Sequence, residues 1–236
     1  MSKEKKTIIF IVEGKSDKFA LENIFKKIYR NNKDIQFGFT NGDITSDSTV
    51  TLDNVEDRIY KTVQNVMKDK KLRNSDVIQI VQIFDMDGAY IPDEAVIHGE
   101  TYALEYSTTN ISCKSPSRAI ERNEGKRELM NYLLTKTMIK SFPYEMYFMS
   151  CNLDHALYNE INLDKDLKIE RADQFYDKFA GKEYLFPVFL ETDVANGVPG
   201  EMKASWKYIR EELHSLERHT NLHVFFKLHP NPDGLL

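Results

Sequence analysis

Two largely apolar runs dominate the chain. The first, residues 7–12 (Thr-Ile-Ile-Phe-Ile-Val), and the second, residues 77–84 (Val-Ile-Gln-Ile-Val-Gln-Ile-Phe), are rich in β-branched side chains. Such runs predict central strands of a parallel sheet, buried on both faces. Between them the pattern changes period. Phe19, Ala20, Ile24, Phe25 and Ile28 recur at helical spacing through Tyr29, until the polar stretch Asn31-Asn32-Lys33-Asp34 breaks the helix. Residues 35–40 predict a short strand, closed by an Asn41-Gly42-Asp43 turn. Residues 52–71 predict a second helix, with Val55, Ile59, Val63 and Val66 on one face and a basic C-terminal end that suits the helix dipole. Asn74-Ser75-Asp76 then turns the chain into the second run. The order βαβαβ is that of a sheet with helices on both faces.

Later elements are less regular. Alternating Tyr102, Leu104 and Tyr106 predict an extended strand within residues 101–113, and Ser115-Pro116-Ser117 opens a helix over 118–136. Residues 145–149 predict another strand, and Cys151-Asn152-Leu153-Asp154-His155 a short helix directly after it. Residues 164–179 and 202–219 predict helices separated by a Gly197–Gly200 break, and 222–228 predict a last strand. The expected class is α/β: a core over residues 1–160 and a mainly helical extension over 161–236 packed on it. The composition turns more charged from Leu163 onward, but no domain boundary is visible.

Composition adds limits to this picture. The chain has 236 residues, 41% of them hydrophobic and 29% charged, within the range of soluble globular proteins. No apolar run approaches the roughly 20 residues that span a bilayer. Lys3 to Lys6 read as a solvated lead-in, and the apolar run after them is too short for a signal-peptide core. The two cysteines, Cys113 and Cys151, lack metal-ligand spacing, so a reduced cytoplasmic protein is expected. A net charge of −5 argues against non-specific coating of nucleic acid, but not against an enzyme with an acidic metal site.

The candidate chemistry lies where the two apolar runs end. The first ends on Glu13-Gly14, with Ser16 or Asp17 placed to cap the following helix. Gly14 is expected to allow a tight turn. The second run ends on Asp85-Met86-Asp87-Gly88. Ligands of open α/β sheets bind at the carboxyl ends of strands, so Glu13, Asp85 and Asp87 are expected to meet there. Residues i and i+2 of a strand share a face, so Asp85 and Asp87 can share one ion if the strand continues. Mg²⁺ or Mn²⁺ suits such hard oxygen ligands and keeps several waters. Crowded carboxylates raise one another's pKa, which would let Glu13 shuttle a proton. Arg118, Arg122, Lys126 and Arg127 form the best cationic cluster, with Lys126 and Arg127 as candidate phosphate ligands. His155 reads as structural.

Glu13-Gly14 with Asp17 close behind, followed by Asp85-Met86-Asp87-Gly88, resembles the Toprim domain over residues 7–90. The resemblance implies a Toprim-like, Rossmann-like sheet. It implies a metal-dependent nuclease acting on DNA or RNA, with Glu13 as general acid or base and Asp85 and Asp87 as the metal pair. The segment 147–157 resembles the post-strand segment of OLD and RloB-like nucleases, which makes Asp154 a further candidate metal ligand. The Asn-Pro pair of RloB-like proteins is absent here. Small standalone Toprim proteins suggest a role in phage defence. The chain lacks a Gly-x-x-x-x-Gly-Lys-Ser/Thr loop, so any NTP dependence would come from a separate ATPase partner; a homodimer stays open. Two alternatives remain. Ile83-Phe84-Asp85-Met86-Asp87-Gly88 also resembles the first motif of HAD-like phosphatases, with Asp85 as nucleophile, although Ala89 stands where threonine is usual. The third reading is a non-catalytic Toprim-like module that binds nucleic acid or protein.

Overall fold

Alternation along the first strand sets the layering. In a computed structural model, which describes residues 6–32 and 34–230, β1 (Lys6–Val12) is buried from Thr7 onward. Ile8, Phe10 and Val12 enter one hydrophobic layer and Ile9 and Ile11 the other, as the two-residue period of a strand requires. The expected lead-in at residues 3–5 lies outside the described residues.

β1 is followed by α1 (Lys15–Ile28), β2 (Ile35–Asn41), α2 (Val55–Lys70) and β3 (Val77–Asp85). Three short strands come next, β4 (Val96–His98), β5 (Glu105–Tyr106) and β6 (Ile111–Cys113). They form a small separate sheet in the order β4-β6-β5. α3 (Pro116–Leu133), β7 (Met138–Ile139), β8 (Phe142–Ser150) and α4 (Leu153–Tyr158) complete the first two thirds. The rest holds α5 (Lys168–Phe179), α6 (Phe186–Phe189), α7 (Met202–Tyr208), β9 (His219–Thr220) and α8 (Leu222–Leu228).

The main sheet runs β2-β1-β3-β8-β7, with β9 also on β8. β2, β1, β3 and β8 are mutually parallel, while β7 and β9 pair antiparallel with the outer edge of β8. The protein is thus α/β with a mostly parallel, mixed sheet flanked by helices. α1, α5, α6 and α8 share one hydrophobic layer, which holds Phe10, Phe25, Phe175, Phe179, Phe186, Phe225 and Phe226. α2, α3 and α7 supply the other, against Ile9, Ile80, Phe84 and Phe148. None of the described helices is long and apolar enough to cross a membrane.

Three expectations fail after β3. Residues 222–228 form a helix and not a strand. Leu222, Phe225 and Phe226 follow helical spacing into the aromatic layer, with Phe225 edge-on to Phe10 at 5.2 Å between ring centroids. A short apolar run carries no period that separates the two states. The helix expected over 202–219 stops at Tyr208; Glu212 takes a left-handed φ of 48°, and the chain re-extends as β9. The extension therefore contributes a strand to the main sheet as well as helices. Residues 101–113 are two short strands around a turn in which the Ser107 N–H donates to the Asn110 carbonyl (2.9 Å).

Candidate active site

From β1 the chain crosses to β2 on one side, and from β3, the other neighbour of β1, it goes on to β8 on the opposite side. The carboxyl ends of β1 and β3 flank this switch point, where open α/β sheets form a crevice. Glu13 follows β1, Asp85 is the last residue of β3, and Asp154 lies in the first turn after β8. Three adjacent parallel strands thus deliver the acidic residues to one edge.

Glu13 is the hub. Its Oε1 accepts from the Asp85 N–H (3.2 Å), from Thr45 Oγ1 (3.3 Å) and from Lys126 Nζ (3.2 Å). Lys126 reaches in from α3, is fully enclosed, and donates to Asp87 Oδ2 at 2.7 Å. Arg122, one helical turn earlier on the same face, pairs with Asp87 Oδ2 at 2.8 Å and donates to the Asp87 carbonyl at 3.1 Å. The Arg122–Lys126 spacing of four was the readable signal for a shared face; sequence reasoning grouped Arg122 with the cationic cluster but gave it no site role.

Asp85 and Asp87 do not share a strand face, which corrects the expectation from their spacing. β3 ends at Asp85, and Asp87 has a left-handed φ of 49°. The chain bends there because the Asp87 N–H donates to the Cys151 carbonyl (2.6 Å) and the Gly88 N–H to the Ser215 carbonyl (3.0 Å). Asp85 instead accepts the Leu153 N–H through Oδ1 (2.8 Å). Its Oδ2 has no hydrogen-bond partner among the described residues. Gly88 has φ +68°, and a Cβ there would stand 2.8 Å from Leu216 Cδ2 and 2.9 Å from Ile111 Cδ1. Gly88→Ala is expected to cost about 1–3 kcal/mol, from backbone strain and overpacking together, read as a lower urea midpoint.

Gly14 serves a different purpose from the one expected. Its φ is −105°, ordinary extended backbone, and its N–H donates to Asp17 Oδ2 at 2.6 Å. A Cβ at Gly14 would lie 3.0 Å from that oxygen, so close approach is what favours glycine. Asp17 closes the first turn of α1 and does not leave the cluster: its charge is felt by Asp85, and Asp154 is felt by Asp17 in turn. Asp154 pairs through Oδ2 with Lys168 Nζ (2.5 Å), while its buried Oδ1 has no hydrogen-bond partner among the described residues. Lys168, the first residue of α5, was not anticipated. His155 accepts the Cys151 N–H on Nδ1 (3.1 Å), and burial lowers its pKa to about 4. It is a neutral structural histidine.

The expected phosphate ligands change role. Lys126 is spent on Glu13 and Asp87 and is closed to a phosphate in this arrangement. Arg127 turns to the Ala89 carbonyl (3.5 Å) and makes no contact with the carboxylates.

Burial and mutual repulsion dominate the electrostatics. Burial raises Glu13 to about 7, against the pull of Lys126 and with a push from Asp87 and Asp43. Burial, Glu13, Asp17 and Asp87 together hold Asp85 well above the usual carboxylate range. Burial also pushes Asp87 up, but Lys126 and Arg122 prevail and keep it below its ordinary value. A linkage prediction follows for Glu13, whose folded value exceeds its unfolded value. Its stabilising contribution is complete below about pH 4.5 and is lost as pH rises through about 7. Glu13→Gln is expected to flatten the fall in Tm across that window; an unchanged slope would remove Glu13 as its source.

Among the described residues no three His, Cys, Asp or Glu side chains stand close enough to hold a metal ion as they are. The donor chemistry nevertheless fits a hard divalent cation, which keeps several waters and is satisfied by one or two carboxylates. No family model, curated protein or solved structure matches the chain.

Proposed function

We propose that the protein is a metal-dependent phosphodiesterase of the Toprim kind that cleaves DNA or RNA. One observation carries the reading. Five carboxylates (Glu13, Asp17, Asp85, Asp87, Asp154) converge at the switch point and face three cations (Arg122, Lys126, Lys168), a formal surplus of two negative charges when all are ionised. A buried surplus of that size is costly unless protons or a divalent cation neutralise it.

Asp85, with Oδ2 uncommitted, and Glu13 are the residues that would hold Mg²⁺ or Mn²⁺. The ion would supply charge stabilisation at the phosphoryl oxygens and an activated water. The chain supplies the rest. Lys126 fixes Glu13 and Asp87 relative to each other. Glu13, poised near neutrality, is matched to taking or giving a proton at working pH. Asp154 sits with Asp17 and Lys168, one step removed from Glu13, and would act as a ligand only through a second ion. The phosphatase alternative needs Asp87 as a proton donor. The two cations on Asp87 hold it ionised, which disfavours that role.

The test is cleavage of mixed single- and double-stranded DNA and RNA by purified protein in Mg²⁺, Mn²⁺ and EDTA. Cleavage that requires the metal supports the reading. Equal cleavage in EDTA overturns the metal dependence; no cleavage together with no Mn²⁺ binding by calorimetry overturns the reading and leaves the non-catalytic module.

A further inference from the structure

A groove of about 790 Å³ lies between residues 45–53 and one face of α3. Its volume is that of small-molecule and cofactor sites, roughly 300–1,000 Å³. Both walls reach the carboxylate cluster. Thr45 lines the groove and bonds Glu13; Arg122 and Lys126 line it and bond Asp87. We propose that this groove binds one unpaired nucleotide beside the reacting phosphate, holding its base against α3 at Gly125.

The α3 wall shows why. Arg118, Arg122, Gly125 and Leu129 follow helical spacing along it. Glycine weakens a helix interior but lets another group approach the backbone closely. Among the described residues nothing beyond the helix's own neighbouring backbone comes close: a Cβ at Gly125 would meet no other atom within 4 Å. The space above Gly125 belongs to the groove. Buried Val50 and Leu129 and exposed Leu52 give the groove apolar surface suited to the flat face of a base. The Arg118 guanidinium makes no ion pair or hydrogen bond among the described residues, so it is a free cation for a neighbouring phosphate.

The rim is acidic, with Asp53, Glu121 and Glu128, while Asp47 is engaged by Arg58 at 2.6 Å. A bare phosphate backbone would be repelled along most of that rim. The amino groups of a base and the hydroxyls of a sugar are donors, and carboxylates accept them. A duplex hides its base faces by stacking, so the groove selects an unpaired nucleotide, in a single strand or free in solution.

The identity of the ligand rests on the nuclease reading, and the test separates the two. Binding of a labelled single-stranded DNA or RNA oligonucleotide, and of free mononucleotides, would be measured in EDTA for the wild type and Gly125→Leu. Leucine at 125 fills the groove and improves the helix, so the melting temperature should hold or rise. Oligonucleotide affinity is expected to fall about tenfold or more, the loss of one stacked base. Arg118→Ala is expected to weaken oligonucleotide binding more at low salt than at high salt. Mononucleotides that bind as tightly as the strand, with the same loss in Gly125→Leu, would assign the groove to a free nucleotide. Unchanged affinity in Gly125→Leu, or no binding of either probe by the wild type, would overturn the groove. If Gly125→Leu loses binding while the wild type neither cleaves nor binds Mn²⁺, the groove stands and the nuclease reading falls.

Discussion

Asp85→Asn is expected to lower metal-dependent cleavage by more than about 100-fold, beyond the 10–100-fold typical of losing a second-shell partner at a metal site. The same substitution should leave the protein folded and slightly more stable. Asparagine keeps an oxygen for the Leu153 N–H, the one hydrogen bond that the Asp85 side chain makes among the described residues. It removes a buried charge crowded by Glu13, Asp17 and Asp87. The sign follows from linkage: the folded-state pKa of Asp85 is raised, so its ionised form works against folding at neutral pH. Cleavage gels in Mg²⁺ and Mn²⁺, with a thermal melt on the same samples, check both halves. Wild-type cleavage by Asp85→Asn would remove Asp85 from the chemistry. Asp87→Asn should behave oppositely in the melt. It takes a counter-ion from Arg122 and Lys126 and should destabilise the fold. Two aspartates of one short motif thus differ in role because one faces carboxylates and the other faces cations.

That division was not legible in the chain, although the sheet was. The two apolar runs announced neighbouring central strands, since both lack polar alternation and each ends on a carboxylate. They do pair, from Thr7 with Val77 to Ile11 with Gln82. Glu13 and Asp85 could be placed because strand ends in a parallel sheet are fixed by the runs that precede them. Asp87 could not, because its left-handed backbone is imposed by the carbonyls of Cys151 and Ser215, which lie far along the chain. Lys126 misled for a similar reason. In sequence it belongs to a charged helix face and reads as solvated. Its burial is decided by partners 39 and 113 residues away. α8 was misread because its residues are buried nearly all round, which erases the period that tells a helix from a strand.

Lys126→Met is expected to destabilise the protein by about 3–5 kcal/mol, the usual cost of breaking a buried ion pair from one side. Methionine retains most of the stem and none of the charge, so the packing of the buried stem is largely kept. What is lost is the one ammonium that both Glu13 and Asp87 share. Urea unfolding should show the loss, and Asp87→Asn added to Lys126→Met should recover part of it, because the second substitution removes a charge the first left unpaired. The coupling in that double-mutant cycle should exceed the few tenths of a kcal/mol seen for independent sites. A loss under about 1 kcal/mol would instead place Lys126 among exposed pairs of little consequence. The single variant also probes the metal. With the lysine charge gone, the surplus at the switch point grows by one, and a divalent cation becomes the remaining source of neutralising charge. Mn²⁺ should raise the melting temperature of Lys126→Met by more than that of the wild type, and EDTA should abolish the difference. A variant insensitive to both would show that Glu13, Asp85 and Asp87 settle their charge with protons alone, and the nuclease reading would lose its metal.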